Sequence, residues 1–388
     1  MSILLNARLP HKSDLYCLEV INNQLRSVLP MTKISANAVQ AMDLNGDWVS
    51  PGGVDLQING ALGLAFPDLT EPVELQKIAS FLWGQGIDAF TPTVVTTHPD
   101  KVQRSLAVMQ AYRTQGLNNR PDHAVVLGAH LEGPFLNPAK GGAHPQDYLQ
   151  PLSLERVRDL LEPYVDVIEI VTLAPEMEAT AAVIPWLRSH NITVSLGHSL
   201  ATAAQAQAAF NQGATMITHA FNAMPGLHHR EPGLLGAALT HPNVFAGLIA
   251  DGQHVCPTML DLLLRSERGG SETVNGGLFL VSDALAPLGL PDGTYPWDSR
   301  EIEVVDGTAR LPDGTLSGTT HPLLNGAINL VKWGLCSVDE AINLTTETPR
   351  QAMGLPGLDA RQTPHLLRWH YDGADLSWQR ILDAELMN

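Results

Sequence analysis

Ala214-Thr215-Met216-Ile217-Thr218-His219 is the stretch that decides the fold of this 388-residue chain. Its apolar and β-branched residues predict a short buried strand that ends in a histidine. The loop that follows, residues 220–233, carries two more histidines, an arginine, a glutamate and an asparagine between glycine and proline residues. Because polar side chains at the end of a buried strand are typical of a functional loop, we expect a metal ligand followed by anion-binding residues.

The same pattern, an apolar run that ends in a polar residue, recurs along the chain. The predicted strands are residues 53–59, 89–95, 125–132, 167–174, 192–198, 214–219, 244–251 and 277–283. Helices are predicted between them at residues 73–84, 102–114, 154–161, 179–189 and 201–211. This alternation favours an α/β fold of the (β/α)8 TIM-barrel type over an open doubly wound sheet, and periodicity alone leaves both possible.

Residues that can carry chemistry stand at the carboxyl ends of six of these eight runs. They are Gln57 with Asn59, Glu132, His198, His219, Asp251 and Asp283. In a (β/α)8 barrel the carboxyl ends of all strands share one face, where catalytic groups gather. The distribution therefore favours the barrel and places one active site at that face.

Glu132, His198 and His219 are the predicted metal ligands. Each alone has a plainer interpretation, because a single strand-end histidine or glutamate is more often a hydrogen-bonded or solvated loop residue. Two imidazoles on adjacent strands and one carboxylate, however, can converge on one divalent metal and leave a position open for water. Asp283 is interpreted as a catalytic acid/base, with an Asx turn or a helix N-cap as the structural alternative.

Several residues near these strand ends are candidates for substrate binding. Arg230 has a planar guanidinium suited to phosphate, and Asn222 adds donors, although the whole loop could be only a solvated surface. His254 follows the seventh predicted strand, and His144 lies on the loop after Glu132. Both are expected to reach the same pocket.

The net charge of −17 argues against nucleic acid or an anionic membrane as a partner, but not against a small phosphorylated ligand. No apolar run approaches the roughly 18 residues that span a bilayer, and no signal peptide is visible, so we expect a cytoplasmic protein.

Cys17, Cys256 and Cys336 are far apart and are expected to be buried free thiols.

The two ends of the chain differ in character from its centre. Short alternating runs at residues 3–9, 15–21, 39–44, 301–305 and 366–371 suggest a small β-sandwich domain assembled from both termini. We therefore expect residues 1–50 and 346–388 to form this domain and residues 51–345 to form the barrel, with a β insertion near 300–318.

Five segments jointly resemble the N-acetylglucosamine-6-phosphate deacetylase family of the amidohydrolase superfamily. They are PGGVDLQING (51–60), HLEGPFLNPAK (130–140), GHS (197–199), HAFNAM (219–224) and HHREPG (228–233). The similarity runs in order from about residue 46 to about residue 350.

The resemblance implies a barrel with a small β-domain, a homodimer, and hydrolysis of the acetamide of N-acetylglucosamine 6-phosphate to glucosamine 6-phosphate and acetate. It implies that Glu132, His198 and His219 bind the metal and that Asp283 is the catalytic acid/base. Arg230 and His254 would contact phosphate, in part from the neighbouring subunit. The full set of implied substrate contacts is Ala143, His144, Asn222, Ala223, Arg230, His254, Leu316, Ser317 and Gly318.

One departure concerns the first strand, where many amidohydrolases carry His-x-His. Gln57-Ile58-Asn59 stands here instead, and an amide is a poor ligand beside imidazole. The sequence therefore favours one divalent metal per subunit, with zinc preferred and iron, cobalt or manganese as alternatives. Two other functions stay open: deacetylation of N-acetylgalactosamine 6-phosphate, and a catalytically silent sugar-phosphate sensor.

Overall fold

A (β/α)8 barrel forms the centre of the computed structural model, which confirms the expected fold class. The structure describes residues 2–21, 24–33, 41–268, 276–358 and 366–381. The eight parallel barrel strands are Gly53–Ile58, Ile87–Val95, Ala129–Glu132, Ile168–Leu173, Thr193–Leu196, Met216–Ile217, Phe245–Leu248 and Gly277–Leu280. Each pairs with the next in chain order, as right-handed β/α units require.

The barrel closes between its last and first strands through the segments that follow them. The Asp283 N–H donates to the Gln57 carbonyl at 2.8 Å, and the Asn59 N–H donates to the Ala284 carbonyl at 2.7 Å. The predicted third strand is divided in two, because Val125–Val126 pairs only with the second strand and the barrel strand itself begins at Ala129. Closure thus brings the ends of strands one and eight into direct contact.

Helices cover the outside of the barrel, and all five predicted helices are present. The α-helices are Pro72–Gly84, Pro99–Thr114, Leu154–Leu161, Thr180–Ser189, Ala203–Asn211, Gly233–Leu239, Pro257–Arg268, Leu323–Lys332, Val338–Thr345 and Glu347–Ala352. Short 3-10 turns occur at Met31–Lys33, Phe66–Asp68, Leu117–Asn119, Pro138–Lys140, Gln146–Tyr148 and Glu162–Val167.

The fifth helix starts where its sequence places a capping box. Thr202 accepts from the Gln205 N–H, and the Gln205 side chain accepts from the Thr202 N–H, which satisfies donors that a helix start leaves open. Ser199, three residues before Thr202, donates its hydroxyl to Glu176 at 2.7 Å. The three residues between Ser199 and the helix therefore belong to the loop at the barrel mouth.

A second sheet of seven strands contains both ends of the described chain. Its strands are Ser2–Arg8, Leu15–Ile21, Gln24–Pro30, Ala41–Asp43, Trp48–Ser50, Leu367–Tyr371 and Leu376–Arg380. Residues 39 and 40 of the predicted run 39–44 lie outside the described residues. This sheet has its own apolar core, which includes Leu4, Leu18 and Val49.

The prediction that residues 301–305 join this terminal sheet is wrong. They belong to a separate four-stranded sheet, inserted after the eighth barrel strand, whose strands are Gly293–Trp297, Arg300–Val305, Thr308–Arg310 and Leu316–Thr319. Its core of Leu285, Ile302, Val304 and Ala309 is local, so these strands pair with one another rather than with the termini. The four strands together span residues 293–319.

The helices and the three cysteines bear on two further expectations. Among the described residues, none of the helices combines the length and apolar character that a membrane crossing demands. Cys17 is buried, as expected, but the burial predicted for Cys256 is wrong, since that residue is exposed at the start of a surface helix. Cys336 is half-buried.

Candidate metal centre and active site

Glu132, His198 and His219 meet at the carboxyl-end face of the barrel. The Oε1 atom of Glu132 lies 2.9 Å from Nε2 of His219 and 3.2 Å from Nε2 of His198, and the two Nε2 atoms are 3.1 Å apart. All three side chains are buried. Strands three, five and six thus direct three ligand atoms at one point, as a metal-binding group requires.

The hydrogen bonds around this cluster fit a bound cation. Nδ1 of His198 lies 2.8 Å from the Lys140 carbonyl, which can only accept, so Nδ1 carries the ring proton and Nε2 presents a lone pair. That lone pair faces the Glu132 carboxylate, another acceptor. Two acceptors in buried contact are costly unless a cation lies between them, and the donor set of two imidazoles and one carboxylate suits a divalent metal.

The backbone at these residues is held in an unusual conformation. His198, His219 and Asp283 have φ values of +47°, +26° and +49°. Residues other than glycine rarely adopt this left-handed backbone conformation. It persists where the surrounding structure holds the residue in place, often at a functional site. The barrel therefore imposes the direction of these three side chains at a conformational cost.

Asp283 lies beside the cluster and is held by two amides. Its Oδ1 accepts from Asn59 Nδ2 at 2.7 Å and from Gln57 Nε2 at 3.4 Å, and Gln57 also donates to Glu132 at 3.0 Å. Burial, together with the charge of Glu132, raises the pKa of Asp283 to about 6. The two amides at the end of strand one thus donate to the Glu132 and Asp283 carboxylates.

A cavity of about 200 Å³ opens above these groups, and it contains most of the predicted substrate contacts. The predicted substrate contacts that line it are Ala143, His144, Asn222, Ala223, His254, Leu316 and Ser317. The predicted metal ligands, Asp283 and Asn59 line it as well. Gln57 lies behind this lining at the end of strand one, and Gly318 lies on the last strand of the inserted sheet, against Leu285 and the Asp283 carbonyl. Arg230 is exposed on the loop after strand six and does not line the cavity of its own chain.

His254 and His144 are fixed by neighbouring polar groups. Asp251 Oδ2 lies 2.7 Å from Nδ1 of His254. Burial acts to raise the pKa of the Asp251 carboxyl, but the hydrogen bonds and charge of His254, with the Gln253 N–H, together lower it. Thr96 Oγ1 lies 2.9 Å from Nδ1 of His144. Burial lowers the pKa of His144 to about 3, so this ring is neutral near pH 7.

The cavity residues that the sequence interpretation missed include Thr96, Asp68, Lys101 and Trp297. Thr96 directly follows strand two, which is the pattern that identified Glu132, but a threonine is a weak sign of chemistry. Lys101 and Asp68 form a 2.6 Å ion pair on the cavity wall, and Trp297 is contributed by the inserted sheet. Nothing in the local sequence of these three residues indicates that they reach the site.

Comparison with known proteins places this architecture among characterised relatives. No protein-family model matches the sequence. The N-acetylglucosamine-6-phosphate deacetylase of Rattus norvegicus is 37% identical over 329 residues, which cover 82% of this chain and 77% of the rat protein. The Vibrio furnissii enzyme of the same name is 33% identical over 79% of this chain and 73% of its own length. N-acetylgalactosamine-6-phosphate deacetylase from Escherichia coli O157:H7 is 32% identical and covers 82% of both chains.

Solved structures agree with these sequence relatives. N-acetylglucosamine-6-phosphate deacetylase from Pasteurella multocida has a TM-score of 0.83 at 28% identity and covers 98% of this chain and 100% of its own. A mutant of the Mycobacterium smegmatis deacetylase in complex with N-acetyl-D-glucosamine-6-phosphate has a TM-score of 0.84 at 26% identity, covering 96% of each chain. An enamidase of the amidohydrolase superfamily shares the fold at a TM-score of 0.57 and 12% identity, covering 96% of this chain and 89% of its own.

A barrel with a Glu-His-His cluster and an aspartate at the end of strand eight defines a protein of the amidohydrolase superfamily. The sequence relatives then narrow the assignment, because identities of 33–37% extend over about four-fifths of the chain. The chain belongs to the family of N-acetylglucosamine-6-phosphate deacetylases.

Proposed function

We propose that this protein is a metal-dependent deacetylase that hydrolyses N-acetylglucosamine 6-phosphate to glucosamine 6-phosphate and acetate. The observation that carries the proposal is the position of Asp283 beside the Glu132, His198 and His219 cluster, at the base of one cavity. A general acid/base next to three metal-ligand atoms is an arrangement that can hydrolyse an amide with a metal-activated water.

Glu132, His198 and His219 would hold one divalent metal per subunit, with zinc preferred for two imidazoles and one carboxylate. The metal would supply Lewis acidity, which polarises a carbonyl and makes a water molecule more acidic. The amides of Gln57 and Asn59 donate toward Glu132 and Asp283, where a second cation would meet N–H groups. This arrangement supports one metal rather than two.

Asp283 would accept the proton of the attacking water and return it to the departing amine. Its pKa of about 6 lies close to neutral pH, where a carboxyl group can perform both steps. His144 would direct a donor at the carbonyl oxygen of the acetamide as that oxygen gains negative charge. Both side chains line the cavity that would hold the sugar.

Recognition of the phosphate would fall to Asn222, Ala223, His254 and Arg230. The first three line the cavity, whereas Arg230 is exposed on the adjoining loop. We propose that Arg230 acts in a homodimer on the phosphate bound by the neighbouring subunit, since a guanidinium suits phosphate and it does not line its own cavity. The free thiols of Cys17 and Cys256 are consistent with a cytoplasmic enzyme.

A second candidate substrate is N-acetylgalactosamine 6-phosphate, because a relative with that name covers 82% of the chain at 32% identity. The two sugars differ in the orientation of one hydroxyl group. Values of kcat/KM on the two phosphorylated sugars, measured with the same preparation, will identify the preferred epimer. A silent sensor is disfavoured because Glu132, His198, His219 and Asp283 are all present.

Elemental analysis combined with an acetate-release assay on N-acetylglucosamine 6-phosphate tests the proposal. We expect about one equivalent of metal per chain, acetate release, loss of activity on chelation and recovery on adding Zn²⁺. If the protein binds no metal and releases no acetate, the proposed function is wrong.

A further inference from the structure

The inserted sheet brings an aromatic side chain to the cavity wall. Its first two strands, Gly293–Trp297 and Arg300–Val305, form an antiparallel hairpin with a turn at Asp298-Ser299. Trp297 and Asp298, at the tip of this hairpin, both line the cavity above the metal-ligand cluster. The hydrolysis described above gives neither residue a role, so the tip is free to serve another part of the substrate.

The surroundings of the indole are apolar. Trp297 is half-buried and packs against the local core of the inserted sheet. Leu285, which belongs to that core, and Leu316, on the last strand of the sheet, line the same cavity. The inserted sheet thus presents two leucines and an indole to the cavity, whereas the barrel strands present carboxylates and imidazoles.

One guanidinium holds the indole in place. Arg300 is the cross-strand partner of Trp297, and its guanidinium carbon lies 4.8 Å from the centre of the Trp297 ring, over the ring face. Arg300 also donates to the Asp298 carboxylate, from Nε at 3.0 Å and from Nη2 at 2.5 Å, and to the Ala143 carbonyl at 2.9 Å. A planar guanidinium can stack on a ring and bind a carboxylate at two points together. Because Ala143 precedes His144, the same group joins the hairpin to the loop that brings His144 to the cavity.

The charges of Arg300 and Asp298 cancel at the hairpin tip. Nε and Nη2 of Arg300 are both engaged, and Arg300 does not line the cavity, so the tip presents no cation to a phosphate. What it offers a ligand is the aromatic surface of Trp297. The C–H groups of a pyranose ring form an apolar face, and covering that face with an aromatic ring removes apolar surface from water.

We propose that Trp297 contacts the substrate by covering the apolar face of its sugar ring, and that Arg300 is the positioning residue that holds the indole there. The inference rests on the proposed deacetylase function, because it assigns part of the specificity of the same site. Trp297 selects the closed ring of a phosphorylated amino sugar, while other residues bind the acetamide and the phosphate.

Substitution of Trp297 separates binding from chemistry. We expect Trp297→Ala to raise KM for N-acetylglucosamine 6-phosphate by about 5- to 30-fold, with kcat changed less than about threefold, because the variant loses a buried ring contact and keeps the reacting groups. Trp297→Phe keeps an aromatic face, so both constants should stay within about threefold of the wild type.

Arg300→Ala tests the positioning role. It should raise KM by about 3- to 10-fold, and Arg300→Lys should recover little of this loss, because an ammonium cannot stack on the ring and bind Asp298 at two points. In the Trp297→Ala background the same substitution should raise KM less than about twofold further, since the indole it holds is already absent. Fully additive effects would show that Arg300 does not act through Trp297.

Tyr295→Ala is the matched control. Tyr295 lies two residues before Trp297 on the same strand, packs against the same local core and does not line the cavity. Its removal should disturb the sheet in a similar way and leave KM within about twofold of the wild type. An equal rise in KM for Tyr295→Ala and Trp297→Ala would overturn the proposal, because a disturbed sheet would then explain both.

Calorimetric binding of glucosamine 6-phosphate and of glucosaminitol 6-phosphate measures the contact without turnover. Reduction has opened the ring of the second compound and kept its amine, hydroxyl groups and phosphate. We expect the zinc-loaded wild type to bind the closed ring at least about 10-fold more tightly, and Trp297→Ala to reduce this preference below about threefold. An unchanged preference in Trp297→Ala would contradict the ring contact alone. If the wild type binds neither compound, the proposed deacetylase function is wrong, and so is the inference that rests on it.

Discussion

Asp283 shows how the barrel adjusts a single residue for proton transfer. Burial alone favours the neutral acid, the nearby charge of Glu132 acts in the same direction, and the Asn59 amide partly opposes both by donating to Oδ1. The resulting pKa of about 6 lies far above that of an ordinary surface aspartate. The left-handed backbone of Asp283 keeps the carboxyl beside the ligand cluster.

Replacement of Asp283 by asparagine tests this role. We expect kcat to fall by about 10²–10⁴, because the amide cannot exchange a proton while its oxygen still accepts from Asn59. Acetate release measures the change, and elemental analysis checks that the variant retains its metal. Near-normal turnover with metal retained would remove Asp283 from the mechanism.

Asp55, a second buried carboxyl group, predicts a pH dependence of stability. Burial raises its pKa to about 7 even though the N–H groups of Gln57 and Ser282 donate to it. In the unfolded chain the pKa returns to near 3.8, so between pH 4 and pH 7 the folded state keeps a proton that the unfolded state has lost. The contribution of Asp55 to the free energy of unfolding is therefore largest at low pH and falls as the pH rises through 7.

Asp55→Asn should remove this pH dependence, because the amide oxygen can still accept both hydrogen bonds and has no proton to lose. Urea unfolding at pH 5 and pH 7 measures the difference in free energy of unfolding between wild type and variant. We expect the free energy of unfolding of the wild type to fall by about 2 kcal/mol relative to the variant between pH 5 and pH 7, at 1.4 kcal/mol per pKa unit. A difference that does not change with pH would contradict the shifted pKa.

At the scale of elements, the loops after strands three, four and five are joined by one carboxylate. Glu176 accepts hydrogen bonds from Asn137 Nδ2 at 2.7 Å, from Ser199 Oγ at 2.7 Å and from the Leu200 N–H at 2.6 Å. Ser199 directly follows His198, so the position of this ligand depends on a loop from another strand. Hydrogen bonds to a charged acceptor are the stronger kind, which makes Glu176 the centre of this loop cluster.

Glu176→Ala should lower the free energy of unfolding by about 1–3 kcal/mol, because three donors lose a partly buried acceptor. We also expect weaker metal retention, measured by competition with a chelator, since the His198 loop is no longer held. The neighbouring Glu178 is exposed and provides the matched control in Glu178→Ala. Equal behaviour of the two variants would show that the Glu176 contacts do not support the site.

At the scale of the whole molecule, one aspartate on strand two of the barrel binds two arginines from the last part of the chain. Asp88 contacts Arg350 at 3.2 Å and Arg380 at 3.0 Å, and both arginines are more than nine-tenths buried. Arg380 lies on the last strand of the terminal sheet, and it also donates to the Trp83 and Ile87 carbonyls. This contact fixes the terminal sheet against the base of the barrel, on the side opposite the active site.

Removal of Asp88 should therefore be costly for stability and have little effect on chemistry. Asp88→Ala leaves two buried cations without their carboxylate, for which we expect a loss of about 3–5 kcal/mol in thermal or urea unfolding. Asp261→Ala, which breaks an exposed ion pair with Arg265, serves as the control and should cost no more than about 0.5 kcal/mol. KM of the folded Asp88→Ala protein should stay within a factor of about two, and similar stability losses in the two variants would contradict the proposed role.

The sequence by itself determined the order of elements and the residues at the strand ends. A barrel strand is buried on both faces, so its sequence is a continuous apolar run, and the first polar residue marks its end. Glu132, His198, His219 and Asp283 were found in this way, because the identity of each residue and its place at a strand end are both local properties. The parallel alternation of strands and helices then placed all four on one face.

Only the tertiary structure decided how the remaining parts meet. Thr96 and Trp297 reach the site, and Glu176 holds the loop after His198, through contacts between segments far apart in sequence. The sheet at residues 293–319 pairs within itself although its pattern resembles the terminal strands. Alternation with a period of two indicates a strand but does not name its partner. Tautomers, shifted pKa values and left-handed backbone angles depend on burial and on neighbours across the barrel, which exist only once the chain has closed.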